Sequence, residues 1–186
     1  MLYTPLGGAH EVGASCHLLQ IADRNILIDS GLRPNRRGEE SLPDLERLDA
    51  LTHGRLDLIL VSHAHIDHTG SLPLVHAQFP GIPTYCTPPT KAIVEILLQD
   101  TIRIMEMRQE EDASEFPLFQ KEDVDRTLFS LREKPFDEWF EALEGVRAAF
   151  HRAGHIVGAA AVLIETSEAK VIFSGDISVA SQRTVA

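Results

Sequence analysis

Three histidines and one aspartate lie within six consecutive positions, and this cluster constrains the chain more than any other feature. The sequence there is His63-Ala64-His65-Ile66-Asp67-His68. It follows the apolar run 56–61, which predicts a buried strand, and precedes Thr69-Gly70-Ser71 and Pro73, which predict a helix start. Crowding four such side chains into one strand-to-helix loop without a metal ion would serve no structural end. The cluster therefore predicts a metal site.

The spacing of these residues suggests two neighbouring points of attachment. His63 and His65 are two positions apart, so they project the same way from extended backbone. Asp67 and His68 lie beyond the bend and can face a second point a few ångströms away. Imidazole nitrogens and carboxylate oxygens suit zinc, at roughly 2.0–2.2 Å.

Composition and charge exclude several classes of protein. The chain has 186 residues, 44% of them apolar and 24% charged, which predicts one globular domain spanning 1–186. A net charge of −11 argues against a stand-alone nucleic-acid binder, although it leaves room for a local basic groove. Two cysteines without a visible leader predict a reduced, cytoplasmic chain, and no apolar run is long enough to span a membrane.

Short apolar runs and longer helical patterns alternate along the chain, which predicts an α/β fold. The long helix that starts near Thr87 carries an apolar stripe that is expected to be core, formed by Ala92, Ile93, Ile96, Leu97, Ile104 and Met107. The acidic stretch 109–115 is expected to be a loop. The arginines of the loop 33–41 could touch phosphate, but a solvated charge run is the more common explanation. Strands are predicted at 2–6, 15–21, 25–28, 56–61, 81–86, 138–143, 146–152, 159–166 and 170–174, and helices at 42–51, from 73, from 87 and at 121–131.

Two further candidate ligands lie far along the chain. His155 is flanked by Gly154 and Gly158, which let the backbone approach closely and aim the imidazole inward. Asp176 directly follows an apolar strand. Together with the first cluster they supply a third nitrogen for one metal and a carboxylate able to bridge two. Asp29, also at a strand end, is equally well explained as a turn residue or as a residue that orients a metal-bound histidine. The other histidines, 10, 17, 53, 76 and 151, are interpreted as ordinary, His17 with the least support.

These motifs resemble a known family. His63-Ala64-His65-Ile66-Asp67-His68 is similar to the H-x-H-x-D-H signature of the metallo-β-lactamase superfamily. The segments 6–13, 153–159 and 174–178 resemble its β-CASP branch, which includes mRNA 3′-end-processing endonucleases and bacterial and archaeal ribonucleases. The resemblance implies an αββα sandwich. It also implies that His63, His65 and His155 hold one zinc, that Asp67 and His68 hold the other, and that Asp176 bridges them.

The sequence departs from the family pattern after Asp176. In the family the chain continues into an inserted β-CASP domain, then returns to complete the lactamase fold and supply a last histidine. None of these parts is found in the 186 residues, so the sandwich is expected to be incomplete at its C-terminus. The second metal site is expected to be weak, and a second polypeptide is a candidate source of the missing domain and ligand.

The resulting hypothesis is a dinuclear-metal phosphodiester hydrolase that processes or degrades RNA, with single-stranded DNA as the other substrate. Two ions, zinc or else manganese, would clamp the phosphodiester and lower the pKa of a bridging water towards roughly 7. Asp67 and Asp176 would orient that water as catalytic residues, and the chain alone is expected to be weakly active or inactive. The alternatives are a small-ester or thioester metallohydrolase and a non-catalytic scaffold subunit. Metal content and simple substrate assays would distinguish them.

Overall fold

A computed structural model describes residues 1–113, 116–180 and 185. Among these residues the strands are β1 Leu2–Gly7, β2 Cys16–Ile21, β3 Arg24–Ile28, β4 Leu58–Leu60, β5 Thr84–Cys86, β6 Leu131–Glu133, β7 Phe140–Leu143, β8 Val146–Arg152, β9 Ala160–Glu165 and β10 Lys170–Phe173. The helices are α1 Leu45–Thr52, α2 Ile66–Thr69, α3 Leu72–Gln78, α4 Pro88–Glu111 and α5 Lys121–Ser130, and a 3₁₀ turn covers Gly38–Ser41.

The strands form two sheets. The first has the order β1-β2-β3-β4-β5-β6, with antiparallel pairing from β1 to β3 and parallel pairing from β3 to β6. The second is an antiparallel meander in the order β10-β9-β8-β7. Parallel strands need crossover connections, and the helices α1 to α5 form the connections that lead along the chain from β3 to β4, β5 and β6.

Two apolar cores lie on the two faces of the first sheet. In β4, Leu58 and Leu60 face the second sheet, whereas Ile59 faces the helices, as the two-residue period of a strand requires. The helix-side core includes residues of α1, α3, α4 and α5. The inter-sheet core is built by strand residues such as Phe150 and Val162. Burying each large aliphatic or aromatic side chain contributes about 1.5–3 kcal/mol.

This layering confirms the predicted α/β fold of the lactamase type. One helix layer and two sheets of the αββα sandwich are seen in the residues that the structure describes, and their helices account only for the layer on the first sheet. The assignment of the chain to a single domain stays a prediction. Within the same residues, no helix is both long enough and apolar enough to cross a bilayer.

The long helix α4 differs from its prediction in two ways. Its fully buried positions are Thr90, Val94 and Leu98, whereas Ile96 and Met107 of the predicted apolar stripe are exposed. The helix rests on the sheet along one narrow face, so the neighbouring apolar positions stay uncovered. It also continues to Glu111, so the loop prediction for 109–115 is wrong over 109–111. Residues 114 and 115 lie outside the described residues.

Two shorter elements were also mispredicted. The predicted helix 121–131 ends at Ser130, and residues 131–133, to which the sequence assigns no strand, form β6 at the edge of the first sheet, parallel to β5. The metal-ligand cluster was expected on a loop throughout. Asp67 and His68 instead lie in α2, a single helical turn whose N-cap position is His65.

Candidate metal centre

The candidate ligands gather at one edge of the two sheets. His63 and His65 follow β4, Asp67 and His68 lie in α2, and the remaining two come from the second sheet: His155 follows β8 and Asp176 follows β10. The carboxyl ends of parallel strands are where open α/β sheets usually carry their sites. Residues separated by more than 110 positions in sequence are thus brought to one place.

Three imidazole nitrogens surround one point. His65 Nδ1 lies 3.2 Å from His63 Nε2 and 3.2 Å from His155 Nε2. All three ligand atoms lie within 4.8 Å of one another. Zinc–nitrogen bonds of about 2.0–2.1 Å at tetrahedral angles separate the nitrogens by about 3.3 Å. The observed spacing therefore fits a metal ion held by three histidines.

A second group of donors adjoins the first. It consists of His63, His68 and Asp176, whose ligand atoms also lie within 4.8 Å of one another. Asp176 Oδ1 is 3.5 Å from His68 Nε2, and Asp176 Oδ2 is 3.5 Å from His155 Nε2. Asp67 lies at the rim, with Oδ2 4.0 Å from His68 Nε2. The Asp176 carboxylate thus faces both groups, one oxygen towards each.

A buried aspartate holds two of the histidines. Asp29 Oδ2 lies 2.8 Å from His68 Nδ1 and accepts a 2.6 Å hydrogen bond from the Ser62 hydroxyl. Its Oδ1 accepts from the Ser62 backbone N–H at 2.7 Å, and Ser62 Oγ is 3.0 Å from His63 Nδ1. Asp29 is 2% exposed and has a φ of 58°. It therefore combines both roles that the sequence left open, the turn residue and the orienting residue.

The electrostatics of the pocket differ between neighbouring histidines. Burial lowers the pKa of His63 to about 4, and burial likewise lowers the pKa of His65, so both are neutral near pH 7. Burial acts the same way on His68, but the hydrogen bond and negative charge of Asp29 outweigh it and raise its pKa. In return His68 lowers the pKa of Asp29 against the effect of burial.

The loop that carries His155 is anchored to the start of α4. The hydroxyls of Thr87 and Thr90 both donate to the Gly158 carbonyl, at 2.7 and 2.9 Å. Gly158 has a φ of +88°, and a Cβ there would lie 2.6 Å from the Thr90 nitrogen. Thr87 occupies the N-cap position of α4 without a side-chain capping hydrogen bond, and its hydroxyl is directed at the Gly158 carbonyl. Only a glycine fits between the loop and the helix.

Backbone hydrogen bonds connect the other loops to the ligands. The Ser15 N–H donates to the Asp67 carbonyl at 2.9 Å, and the Ser30 N–H donates to the His68 carbonyl at 2.8 Å. A Cβ on Gly31 would lie 1.7 Å from the Asp67 carbonyl oxygen. The turn that carries Asp67 and His68 is therefore fixed from two sides.

Some residues near the centre were not singled out from the sequence. Ser62 carries no motif signal, and the sequence marks Thr87 and Thr90 only as candidate caps of the long helix, since the partners of all three are 33 to 71 positions away. His17 lies in the wall of a cavity of about 460 Å³ beside Asp67, His68 and Asp176. Its ring nitrogens are 3.0 Å from the Tyr3 hydroxyl and 3.1 Å from the Ser15 hydroxyl.

The fold and the histidine–aspartate cluster define a metallohydrolase-type protein. The sequence profile of the metallo-beta-lactamase superfamily matches residues 11–184, and the chain belongs to that superfamily. A solved structure, the native FEZ-1 metallo-beta-lactamase from Legionella gormanii, superposes with a TM-score of 0.58 at 19% identity. That superposition covers 91% of this chain and 61% of the FEZ-1 chain, and it supports the fold alone.

Curated relatives share more of the sequence. The chain is 36% identical over 177 residues to "Endoribonuclease YSH1" of Kluyveromyces lactis, covering 93% of this chain and 22% of the relative. It is 34% identical over 177 residues to "Cleavage and polyadenylation specificity factor subunit 3" of Dictyostelium discoideum, covering 94% and 22%. The predicted resemblance to mRNA 3′-end-processing endonucleases is confirmed. The chain spans about a fifth of the length of these relatives.

Proposed function

We propose that the chain carries the metal centre of a dinuclear phosphodiester hydrolase that cleaves RNA. The observation that carries the proposal is the position of Asp176 between His155 and His68. One of its carboxylate oxygens lies 3.5 Å from His155 Nε2 and the other lies 3.5 Å from His68 Nε2. A carboxylate in this position suits a bridge between two cations.

In this proposal each ion has its own ligands. His63, His65 and His155 hold the first, Asp67 and His68 hold the second, and Asp176 binds both. Nitrogen spacings of 3.2 Å support zinc in the first position, and manganese is the alternative ion because Asp67 and Asp176 offer carboxylate oxygens. Such ions would act as Lewis acids on the phosphodiester and would activate water as the nucleophile.

The protein residues have separate tasks in that reaction. Asp67 and Asp176 are the catalytic carboxylates, because both are solvent-accessible and can orient an attacking water. Asp29 accepts from His68 Nδ1 and thereby keeps Nε2 directed at the pocket. The neutral state of His63 leaves a lone pair available for coordination.

RNA is the proposed substrate because the relatives of the chain are named as an endoribonuclease and a cleavage factor subunit. A further histidine from outside these 186 residues, on a second polypeptide or a neighbouring domain, is part of the proposal. It would complete the second metal site, and another histidine from the same source would protonate the leaving oxygen of RNA. The cytoplasmic location suggested by the cysteines stays a prediction.

Hydrolysis of bis(4-nitrophenyl) phosphate tests the proposal, because 4-nitrophenolate leaves without a proton donor. The zinc- or manganese-loaded chain should hydrolyse this diester, and Asp176→Ala should lower the rate by about 100-fold or more. His151→Ala serves as the control, because His151 is a half-exposed residue that contacts Asp137 outside the pocket. A larger rate enhancement over the uncatalysed reaction for 4-nitrophenyl acetate than for the phosphodiester, or an unchanged rate in Asp176→Ala, would contradict the proposal.

A further inference from the structure

A second cavity lies on the other side of the metal-ligand turn. It has a volume of about 230 Å³ and is formed by the loop 32–41, α4 and the segment 116–118. Ile66, the residue between His65 and Asp67, forms part of its wall. The Leu32 N–H donates to the Ile66 carbonyl at 3.0 Å, so the cavity and the metal centre share one backbone segment.

The cavity is basic although the chain is acidic. Four arginines line it, with Asp100 as the one carboxylate among its lining residues, while the chain as a whole has a net charge of −11. The four are Arg33, Arg36, Arg37 and Arg108. Clustering a quarter of the basic side chains around one small cavity creates a local positive potential that attracts an anion.

Two of these arginines have guanidinium groups available for a ligand. The Arg36 side chain is 63% exposed and lies 3.7 Å from Glu40, an exposed pair that contributes little. Arg108 forms no ion pair with the residues that the structure describes. Arg33 differs, because both oxygens of Glu11 hold it at 2.7 and 2.8 Å, which fixes the loop instead.

The rest of the lining is apolar and includes an aromatic ring. Phe116 is 78% exposed and Ile104 is 40% exposed, and both lie beside Met105. On α4, Leu97, Ile104 and Arg108 follow one another at helical spacing, so the apolar side chains and the Arg108 guanidinium lie along the same face of the helix. Exposed aromatic rings beside arginines are how proteins bind single-stranded nucleic acid, by stacking bases and pairing phosphates.

We propose that this cavity binds one nucleotide of a single-stranded RNA, with its phosphate at Arg36 and Arg108 and its base against Phe116 and Ile104. The inference rests on the proposed function, since it supplies a binding site for the strand whose phosphodiester reaches the metal centre. The volume is below the roughly 300–1,000 Å³ of pockets that enclose whole ligands, which suits a single nucleotide of a longer strand.

The surrounding charges give the strand a direction. Glu110, Glu111 and Asp112 follow Arg108 at the end of α4 but do not line the cavity. Their charges repel a polyanion beyond that end, so the strand approaches along the loop that carries Arg36. An acidic peptide could pair with the same arginines, but its carboxylates would leave Phe116 uncovered.

Binding of a fluorescein-labelled uridine 12-mer, measured by fluorescence polarisation in EDTA, tests the inference without cleavage. The double variant Arg36→Gln/Arg108→Gln should bind about tenfold more weakly, and the slope of log affinity against log salt should fall by about 0.7, because one phosphate contact is lost. Phe116→Ala should weaken binding by about tenfold through lost stacking. Arg103→Gln is the matched control, because Arg103 lies on α4 in the wall of a different cavity.

A photo-crosslink provides the second measurement, in which 4-thiouridine in the oligomer should attach to residues between 97 and 118. Equal losses in Arg103→Gln and the double variant, crosslinks confined elsewhere, or no binding by the parent chain would overturn the inference. So would hexaglutamate binding that depends on Arg36 and Arg108 while RNA binding does not. Hydrolysis of bis(4-nitrophenyl) phosphate is independent of this cavity, so each of these results would leave the proposed function standing.

Discussion

Asp29 and His68 are joined by a 2.8 Å contact between Oδ2 and Nδ1 in a part of the structure that solvent barely reaches. Because His68 Nδ1 is engaged with Asp29, the other ring nitrogen, Nε2, is the one that faces the candidate metal centre. It links the end of β3 to α2 across 39 positions of sequence. The arrangement of the proposed second metal site thus depends on a residue that is not itself a ligand.

Replacing this carboxylate should weaken metal binding. Asp29→Asn keeps the size of the side chain and tolerates the φ of 58°, but it removes the charge that favours His68 as a ligand. We expect affinity for the second ion to fall by about 10- to 100-fold, with the first ion less affected. Calorimetric titration of the metal-free chain with zinc measures both affinities.

Asp57→Asn is the matched control, because Asp57 also accepts a backbone hydrogen bond, from Asn25 at 2.8 Å, but lies away from the metal centre. Its two affinities should equal those of the parent chain. Unchanged binding of the second ion in Asp29→Asn would show that the contact with His68 has no part in holding metal.

Alanine substitutions at two glycines with similar positive φ angles separate the cost of backbone strain from the cost of steric crowding. Gly158 has a φ of +88° and would place a Cβ 2.6 Å from the Thr90 nitrogen, whereas Gly81 has a φ of +81° and open space around it. Gly81→Ala should cost about 1 kcal/mol of unfolding free energy, from backbone strain alone. Gly158→Ala should cost more and should also weaken binding of the ion at His155, because the loop must move off α4.

Denaturant unfolding and zinc titration of the two variants check this pair. The crowding argument requires a larger loss of stability in Gly158→Ala and a loss of zinc affinity in that variant alone. Equal effects of the two substitutions would contradict it.

The buried His76 should make stability depend on pH. Its Nε2 lies 3.1 Å from the Thr84 hydroxyl, its Nδ1 has no hydrogen-bond partner among the described residues, and burial lowers its pKa to about 4. As the pH falls, His76 of the unfolded chain binds a proton near pH 6.5, whereas His76 of the folded chain binds one only near pH 4. The free energy of unfolding therefore decreases as the pH falls from about 6.5 to about 4. From pH 7 to pH 5 the loss should be about 2 kcal/mol.

The variant His76→Gln isolates this contribution from that of His63, whose pKa is also about 4. Urea unfolding at both pH values, in metal-free buffer, should show a smaller pH dependence in His76→Gln than in the parent chain. His10→Gln, on an exposed loop, should leave the dependence as it is. The same slope in His76→Gln and the parent would rule out His76 as its source.

Much of the fold and of the candidate centre could be read from local sequence. The period-two and period-3.6 patterns predicted all strands except β6, and the spacing within 63–68 predicted a cluster of ligands. Local rules sufficed because each of those features is encoded within about ten residues. The family resemblance then linked His155 and Asp176 to the same centre.

The features that could not be predicted from the sequence depend on contacts between residues that are far apart along the chain. The buried face of α4 is set by where the helix meets the sheet. The predicted apolar stripe was therefore right at Ile93 and Leu97, which pack against the helix-side core, and wrong at Ile96 and Met107, which are exposed. The pairing of Thr87 and Thr90 with Gly158 joins residues about 70 positions apart, and no local pattern marks it. The sequence alone favours a solvated charge run for the arginines of the loop 33–41. Their cavity is not visible in the sequence, because its apolar wall comes from α4 and Phe116, far along the chain.

Crystals of the chain grown with zinc, with anomalous scattering recorded at the zinc edge, test the central claim most directly. The account predicts two anomalous peaks roughly 3.5–4 Å apart. The first should lie among His63, His65 and His155, the second beside His68, and the Asp176 carboxylate should lie between them. A single peak, or two peaks with the Asp176 side chain directed away from both, would contradict it.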